Sequence, residues 1–399
     1  MEKKITILVI ILLIAAGFGG CKQSSGNQSE GIITVDVTKR YPKRELVLQD
    51  FMDVEYVVLE TTDDFLNQGV VLAVGQEIIM IKNVLNDGDI FVYDRKGKGL
   101  RKINRKGQGG EEYNNIRQII LDEDNREMFV NDYSNKILVY DLFGNFKRSF
   151  RYVENPQYSD IYNFDEESFI CKDASFDNDG ETGITPFVII SKQDGSIIKS
   201  IQISCQQKRP NQIQRPHSGM TVTAYISNFP ATSIIPYHES WLLTVYSNDT
   251  IFRFIQASNL IPFMLRTPSI ESNDPKANLS LGILTERYYF LQTEKNEPEI
   301  IGTTPYDAKV VFAKTYLMYD KQETSIYEYT VYNDDYSPKI SVNMSSNTAN
   351  DEIAFSQKLE AYALVESYKK SELKGKLKEI AVTLDEEDNP VIMLVKYKQ

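Results

Sequence analysis

Three stretches of the chain repeat one pattern of apolar and polar positions. They are DIFVYDRKGKGLRKINR from Asp89, KILVYDLFGNFKRSFRY from Lys136 and FVIISKQDGSIIKSIQI from Phe187. Each begins with an apolar run, passes through a polar turn centred on glycine, and continues as an alternating segment. Apolar runs of this length, rich in β-branched and aromatic residues, predict buried strands, and the alternating segments predict half-buried ones. The turns place Gly97, Gly144 and Gly195 where a tight hairpin requires positive φ. Looser copies begin at Asp249 (DTIFRFIQASNLIPFML) and Lys314 (KTYLMYDKQETSIYEYTVY).

The segments between these copies also read as strand pairs. IRQIILDEDNREMFVND and DIYNFDEESFICKD are each two strands around an acidic turn. Every unit then holds about four short strands, which is the blade of a β-propeller. Five units are visible. A sixth is expected from the C-terminal PVIMLVKYK and N-terminal strands such as IITVDVT and VEYVVLE, because joining the chain ends removes exposed sheet edges. The expectation is an all-β fold: a six-bladed β-propeller with four-stranded antiparallel blades. One segment departs from it. Between residues 351 and 384 the spacing turns helical, with Leu373, Leu377, Ile380 and Leu384 on one face, and Pro390 disfavours helix just beyond. A small helical insertion is expected before the C-terminal strand.

The N-terminus reads as an address. Lys3 and Lys4 precede an apolar run from Ile5 to Ala16, too short for a typical spanning helix and laid out as a signal peptide. FGGC then resembles a bacterial lipobox, with Phe18 where leucine is usual, and that resemblance implies lipidation of Cys21. The expected organisation is a signal peptide at 1–20, a polar tether at 21–31 and a propeller over 32–399. Lys22 after the cysteine favours the outer membrane, periplasmic or surface-facing. A net charge of −12 disfavours binding to nucleic acid. Arg95 to Lys106 is the one basic run.

VEYVVLETT, INRKGQGGEEY and EDNPVIMLVKYK, with NDTIFRF more weakly, resemble a family of secreted six-bladed β-propeller lipoproteins long treated as a domain of unknown function. In that family a proline often stands where this chain has Gly110. The resemblance implies fold and compartment, with no catalytic signature to carry over.

Chemical motifs are sparse. INRKGQGGEEY follows a strand as a phosphate loop would, but position 112 is Glu and the residues beyond read as a strand, so a plain turn between blades is expected. His217 and His238 lie near prolines without a nucleophile elbow or zinc spacing, and neither is assigned a catalytic role. KDASFDNDGETG (172–183) fails as a calcium loop because Pro186 falls at the twelfth position. Cys171 and Cys205, two strands apart, would be separated by roughly 9–10 Å, beyond disulfide reach, and are expected to be unpaired. No catalytic residue, metal ligand or cofactor is assigned. The function expected is a lipid-anchored binding scaffold for an envelope protein, peptide or glycan, with insertions at 206–223 and 267–280 as contacts. The alternative is a hydrolase or lyase with a metal-assisted site in the central channel.

Overall fold

The computed structural model describes residues 31–152, 158–173, 184–204, 212–217, 220–225, 233–245, 248–255, 260–270, 272, 277–301, 309–345 and 351–398. Six antiparallel sheets form a six-bladed β-propeller. The first blade comprises Val70–Val74, Ile78–Lys82, Asp89–Asp94 and Gly99–Asn104, paired in chain order. The second comprises Ile116–Asp122, Glu127–Asp132, Lys136–Asp141 and Phe146–Arg151, and the third Tyr158–Asn163, Ser168–Asp173, Ile184–Ser191 and Ile197–Ser204. The fourth runs from Ile234–Tyr237 through Ser240–Leu243 and Thr250–Ile255 to Leu260–Thr267, and the fifth from Ala277–Leu284 through Tyr288–Ile301 and Lys309–Asp320 to Ser325–Tyr332. The five repeated phrases are the third and fourth strands of these five blades.

The ring is evident from its cores. Six hydrophobic clusters each draw on two neighbouring sheets. In the first blade Ile90 and Val92 join the cluster shared with the second blade, while Phe91 and Tyr93 join the one shared with the sixth. In the second blade Leu138 and Tyr140 face back, and Ile137 and Val139 face forward to Phe169 and Cys171. This explains the continuous apolar runs: a strand buried on both faces spends odd residues on one core and even residues on the next. Clusters between blades three and four, four and five, and five and six complete the circle.

The chain ends meet in the sixth sheet, where Val391–Tyr397 pairs antiparallel with Ile353–Leu359 on one side and with the N-terminal Met52–Val58 on the other. Three strands form this sheet among the described residues. VEYVVLE therefore closes the ring as expected, but IITVDVT does not. Ile33–Asp36 lies parallel along the outer strand of the fourth blade, and Lys43–Val47 lies parallel along that of the fifth. The N-terminal arm thus covers three consecutive outer edges before the first blade begins. Arg44 pins it there, donating to Asp320 at 3.1 Å and to Glu323 at 2.9 and 3.0 Å, and stacking over Tyr327.

The helical insertion is two helices, Ala361–Lys369 and Gly375–Ala381, between Ile353–Leu359 and the last strand. Leu373, Leu377 and Leu384 are buried against the fifth and sixth blades as their spacing implies, with Ile380 partly buried beside them. The expected helical segment was too long at its start: Ile353–Leu359 is a strand, since its backbone completes the ladder on Val391–Tyr397. Cys171 is buried and unpaired on the second strand of its blade, and burial pushes its thiol up. Cys205 lies outside the described residues.

Candidate functional site: the long-loop end of the propeller

Antiparallel strands turn alternately at the two ends of each blade, and the two ends of this propeller differ. At one end every connection is short: 75–77, 95–98, 123–126, 142–145, 164–167, 192–196, 238–239, 256–259, 285–287 and 321–324. These turns are built by local chemistry. Asp94 Oδ1 accepts the N–H of Lys96 and of Lys98, and Asp141 Oδ1 accepts those of Phe143 and Asn145, with Gly97 at φ 86° and Gly144 at φ 87°. A Cβ on Gly97 would lie 1.9 Å from the Val58 carbonyl oxygen, so the turn also seats on the preceding blade. Glu123 ties neighbouring turns together by accepting the N–H of Gln76, Glu77 and Ile78 at 2.6, 3.0 and 3.1 Å.

All the long connections leave from the opposite end. They are 59–69, 83–88, 105–115, 152–157, 174–183, 205–233, 244–249, 268–276, 302–308, 333–352 and the helical 360–390. The stretch 205–233 carries a hairpin, Gln212–His217 with Met220–Tyr225, that pairs with no other sheet among the described residues. Residues 212–217 and 220–223 of the expected contact segment form this hairpin; its remaining residues and its side chains lie outside the described residues. The other, 267–280, is shorter than expected: Thr267 ends one strand, and Ala277–Ser280 is buried in the first strand of the fifth blade.

Three of these connections, 59–69, 83–88 and 105–115, interlock with the short turn 133–135 into one platform. The Gln68 N–H donates to Asn83 Oδ1 at 3.0 Å, and the Val84 N–H donates to Gln68 Oε1 at 2.7 Å. Asn86 Nδ2 donates to the Asn114 carbonyl, and the buried Tyr113 hydroxyl donates to the Gly88 carbonyl at 2.6 Å. Asp132 accepts the N–H groups of Asn114 and Asn115 at 2.7 and 2.9 Å, and Tyr133 N–H donates to the Asn115 carbonyl. Burial alone would raise the Asp132 carboxyl, but these N–H groups and Ser134 outweigh it and hold it low. Burial pushes the Tyr113 phenol up to about 12. On this platform stand four exposed apolar side chains: Leu66 (60%), Val84 (64%), Leu85 (72%) and Tyr133 (56%). Arg117 stacks over Tyr133 at 4.6 Å. Large apolar groups held out on a hydrogen-bonded frame resemble an unfilled interface more than a scattered surface.

The glycine-rich segment Ile103–Tyr113 is part of this frame. Its Gly109 N–H is occupied by Glu112 Oε2 at 2.7 Å, and a Cβ on Gly107 would collide with the same carboxylate. The loop's own anion fills the place a phosphate would take, and a strand follows it. Gly110 meets nothing within 4 Å.

Two polar side chains on the first strands of the second and third blades are committed to the ring. Gln118 Nε2 donates to the Ile161 carbonyl at 2.8 Å while its Oε1 accepts the Ile161 N–H at 3.3 Å, and Asn163 Nδ2 donates to the Leu121 carbonyl at 2.9 Å. These amides substitute for the ladder partners that the first strand of each sheet lacks. Among the described residues no group of three or more His, Cys, Asp or Glu side chains could hold a metal ion. His238, near prolines in the sequence, is not in a long loop. It stands with Glu239 in the tight turn between Ile234–Tyr237 and Ser240–Leu243, at the short-turn end, with φ 40°. The side chain of His217, the calcium-like segment 174–183 and Cys21 lie outside the described residues. The apolar platform was not anticipated. Its only sequence signal is apolar residues inside polar turn contexts, as in NVLNDGD and NDYSNK.

Comparison with known proteins adds family and fold. Residues 32–396 match the model of a domain of unknown function, DUF4934. A solved structure of a Bacteroides fragilis protein described as exported is similar over 92% of this chain and 100% of its own, at 17% identity and a TM-score of 0.60. A DUF4221 member from Bacteroides vulgatus is similar over 88% of this chain and 99% of its own, at 8% identity and a TM-score of 0.45. No relative is found among curated proteins.

Proposed function

The chain belongs to the DUF4934 family, and from that premise we propose that it is a non-enzymatic binding scaffold of the bacterial envelope. It is held at the outer membrane through a lipid on Cys21 and receives an envelope protein or a glycan on its long-loop end. One observation carries this reading: Leu66, Val84, Leu85 and Tyr133 are exposed on a rigid hydrogen-bonded platform at the end where the chain spends its long connections. Exposing such groups costs solubility, and a ligand that covers them recovers the buried area. The signal-like segment before Cys21 supports export, in keeping with the description of the Bacteroides fragilis protein.

The alternative, a metal-assisted hydrolase or lyase in the channel, lacks a supporting observation among the described residues: Gln118 and Asn163 are spent on backbone groups. The test is proximity cross-linking of the tagged, lipidated protein in its native envelope, with Cys21→Ala as control. Reproducible enrichment of one protein or glycan, lost in the control, supports the scaffold. An empty result with correct localisation contradicts it.

A further inference from the structure

The last two strands of the fifth blade come apart part-way along. Lys309–Asp320 pairs with Ser325–Tyr332 only from Leu317 opposite Glu328 to Asp320 opposite Ser325. Past that point the short strand Ser341–Val342 takes its place, pairing with Tyr332 and Val331. Tyr316 and Tyr329, next in register, are left unpaired with each other, and their rings meet edge-on with 6.0 Å between centres. A cleft of about 220 Å³ opens at this changeover. The buried Val331 and Val342 line it together with the two tyrosines, and Thr330, Ser341 and Asn343 complete the lining. An apolar cavity of about 150 Å³ holds a benzene ring. This cleft therefore has room for one six-membered ring with its substituents, and not for a stretch of peptide.

The chemistry of the walls narrows the class of ligand. None of the lining residues is charged. The flanking charges stand in opposite pairs: Lys339 with Glu45, Lys314 with Glu294, and Lys43 opposite Glu328 in register. An ionic ligand of either sign would lose hydration without gaining a free counter-charge. The Tyr329 hydroxyl, like Arg95 Nε and Arg148 Nε, is enclosed without a hydrogen-bond partner, so Tyr329 contributes its ring and not its phenol. The polar groups within reach stand at the rim, where Ser341 and Asn343 are exposed. Asn343 Oδ1 accepts the Ser345 N–H at 2.9 Å and the Ser345 hydroxyl at 2.6 Å, which leaves the Asn343 amide nitrogen to donate. Tyr316 is 38% exposed, and the cleft is open to water on one side. An apolar ring seated here would keep its outer face wet and bring nothing to the rim. A polyhydroxylated ring packs its C–H face on a tyrosine and turns its hydroxyls to the amide, the serine and the water. We propose that this cleft binds one neutral pyranose unit, the end of a glycan, with Tyr316 as the stacking face and Ser341 and Asn343 as hydrogen-bonding partners. No residue of it belongs to the platform on the first and second blades, so the two sites stand or fall separately.

The mature chain is titrated with the methyl glycosides of glucose, galactose and mannose, and binding is read by saturation-transfer NMR. At least one should bind saturably with a Kd of about 1 mM, the scale for a single ring. Tyr316→Ala should weaken it by about tenfold or more, and Tyr316→Phe, which keeps the ring, by no more than about threefold. Ser341→Ala should weaken it by about threefold. Being at an exposed position, Ser341→Ala carries the same test if Tyr316→Ala melts early. Leu85→Ser on the platform should leave the binding unchanged. A lack of saturable binding by all three glycosides overturns the proposal. So does tighter binding of methyl glucuronide, cyclohexanol or N-acetyltyrosinamide, which would make the cleft a site for an anion, an apolar ring or a partner's aromatic side chain. Equal losses in Leu85→Ser and Tyr316→Ala would also overturn it, because the sugar would then sit on the platform.

Discussion

Asn389, just before the C-terminal strand, accepts the backbone N–H of Asn67 at 2.8 Å, joining residues at opposite ends of the chain. The same Asn389 amide donates to the carbonyls of Glu60 and Phe65, and Asn67 Nδ2 donates to the buried Tyr93 hydroxyl at 2.7 Å. These bonds shape the loop that leads from the closing strand into the first blade. The ring is thus closed twice, by the Met52–Val58 ladder and by a buried amide beside it.

Asn389→Ala is expected to destabilise by about 2–4 kcal/mol, since it strands several buried donors and acceptors at once. Urea unfolding is the check. A loss below about 1 kcal/mol would mean that the strand ladder alone closes the ring.

Asp122 and Lys192 form a buried ion pair at 2.6 Å that bolts the second blade to the third, each about 6% exposed. Burial raises the Asp122 carboxyl, but the Lys192 ammonium and the Asn125 side chain outweigh it, and the net shift is downward. Its contribution to stability is therefore complete above the ordinary carboxylate value near 4 and is lost as pH falls through the lower folded value. Asp122→Ala should cost about 3–5 kcal/mol at pH 7, because Lys192 is left buried without its counter-charge. The difference from wild type should shrink below about pH 4. A pH-independent difference in thermal stability would contradict the pairing.

Gly97→Ala should destabilise by at least about 2 kcal/mol, from positive φ plus the clash with the Val58 carbonyl. Gly110→Ala should stay within about 0.5 kcal/mol, since its Cβ meets nothing. Paired denaturation curves separate the two.

The Cys171 thiol, buried and raised, should not react with an alkylating reagent in the native protein and should react on unfolding. Peptide mapping after a native pulse checks it. Modification of Cys171 in the native state would show that the core between the second and third blades opens.

The blades were legible because their information is local. An aspartate or serine before the turn and a glycine within it, as at Asp94–Gly97 and Asp141–Gly144, encode the hairpin in consecutive residues, and the doubly buried strands are unbroken apolar runs. The place of Ile33–Asp36 was not legible. Its alternation says strand, but nothing in it selects the outer edge of the fourth blade over the sixth. That choice depends on a parallel ladder to residues far along the chain. Ile353–Leu359 was absorbed into a helical reading for the same reason, since its partner is the C-terminal strand. The site was less legible than the fold. Leu66, Val84, Leu85 and Tyr133 become a surface only when four connections from different parts of the chain are bonded together.

The long-loop platform is proposed here as the surface that binds a partner. Its most direct test is site-specific photocross-linking in the native envelope, with the reactive side chain placed in turn at Leu85, at Tyr133 and at Glu167 on the short-turn end. One partner is expected to be captured from Leu85 and Tyr133 and not from Glu167. No adduct at the platform, or equal capture from all three positions, would contradict it.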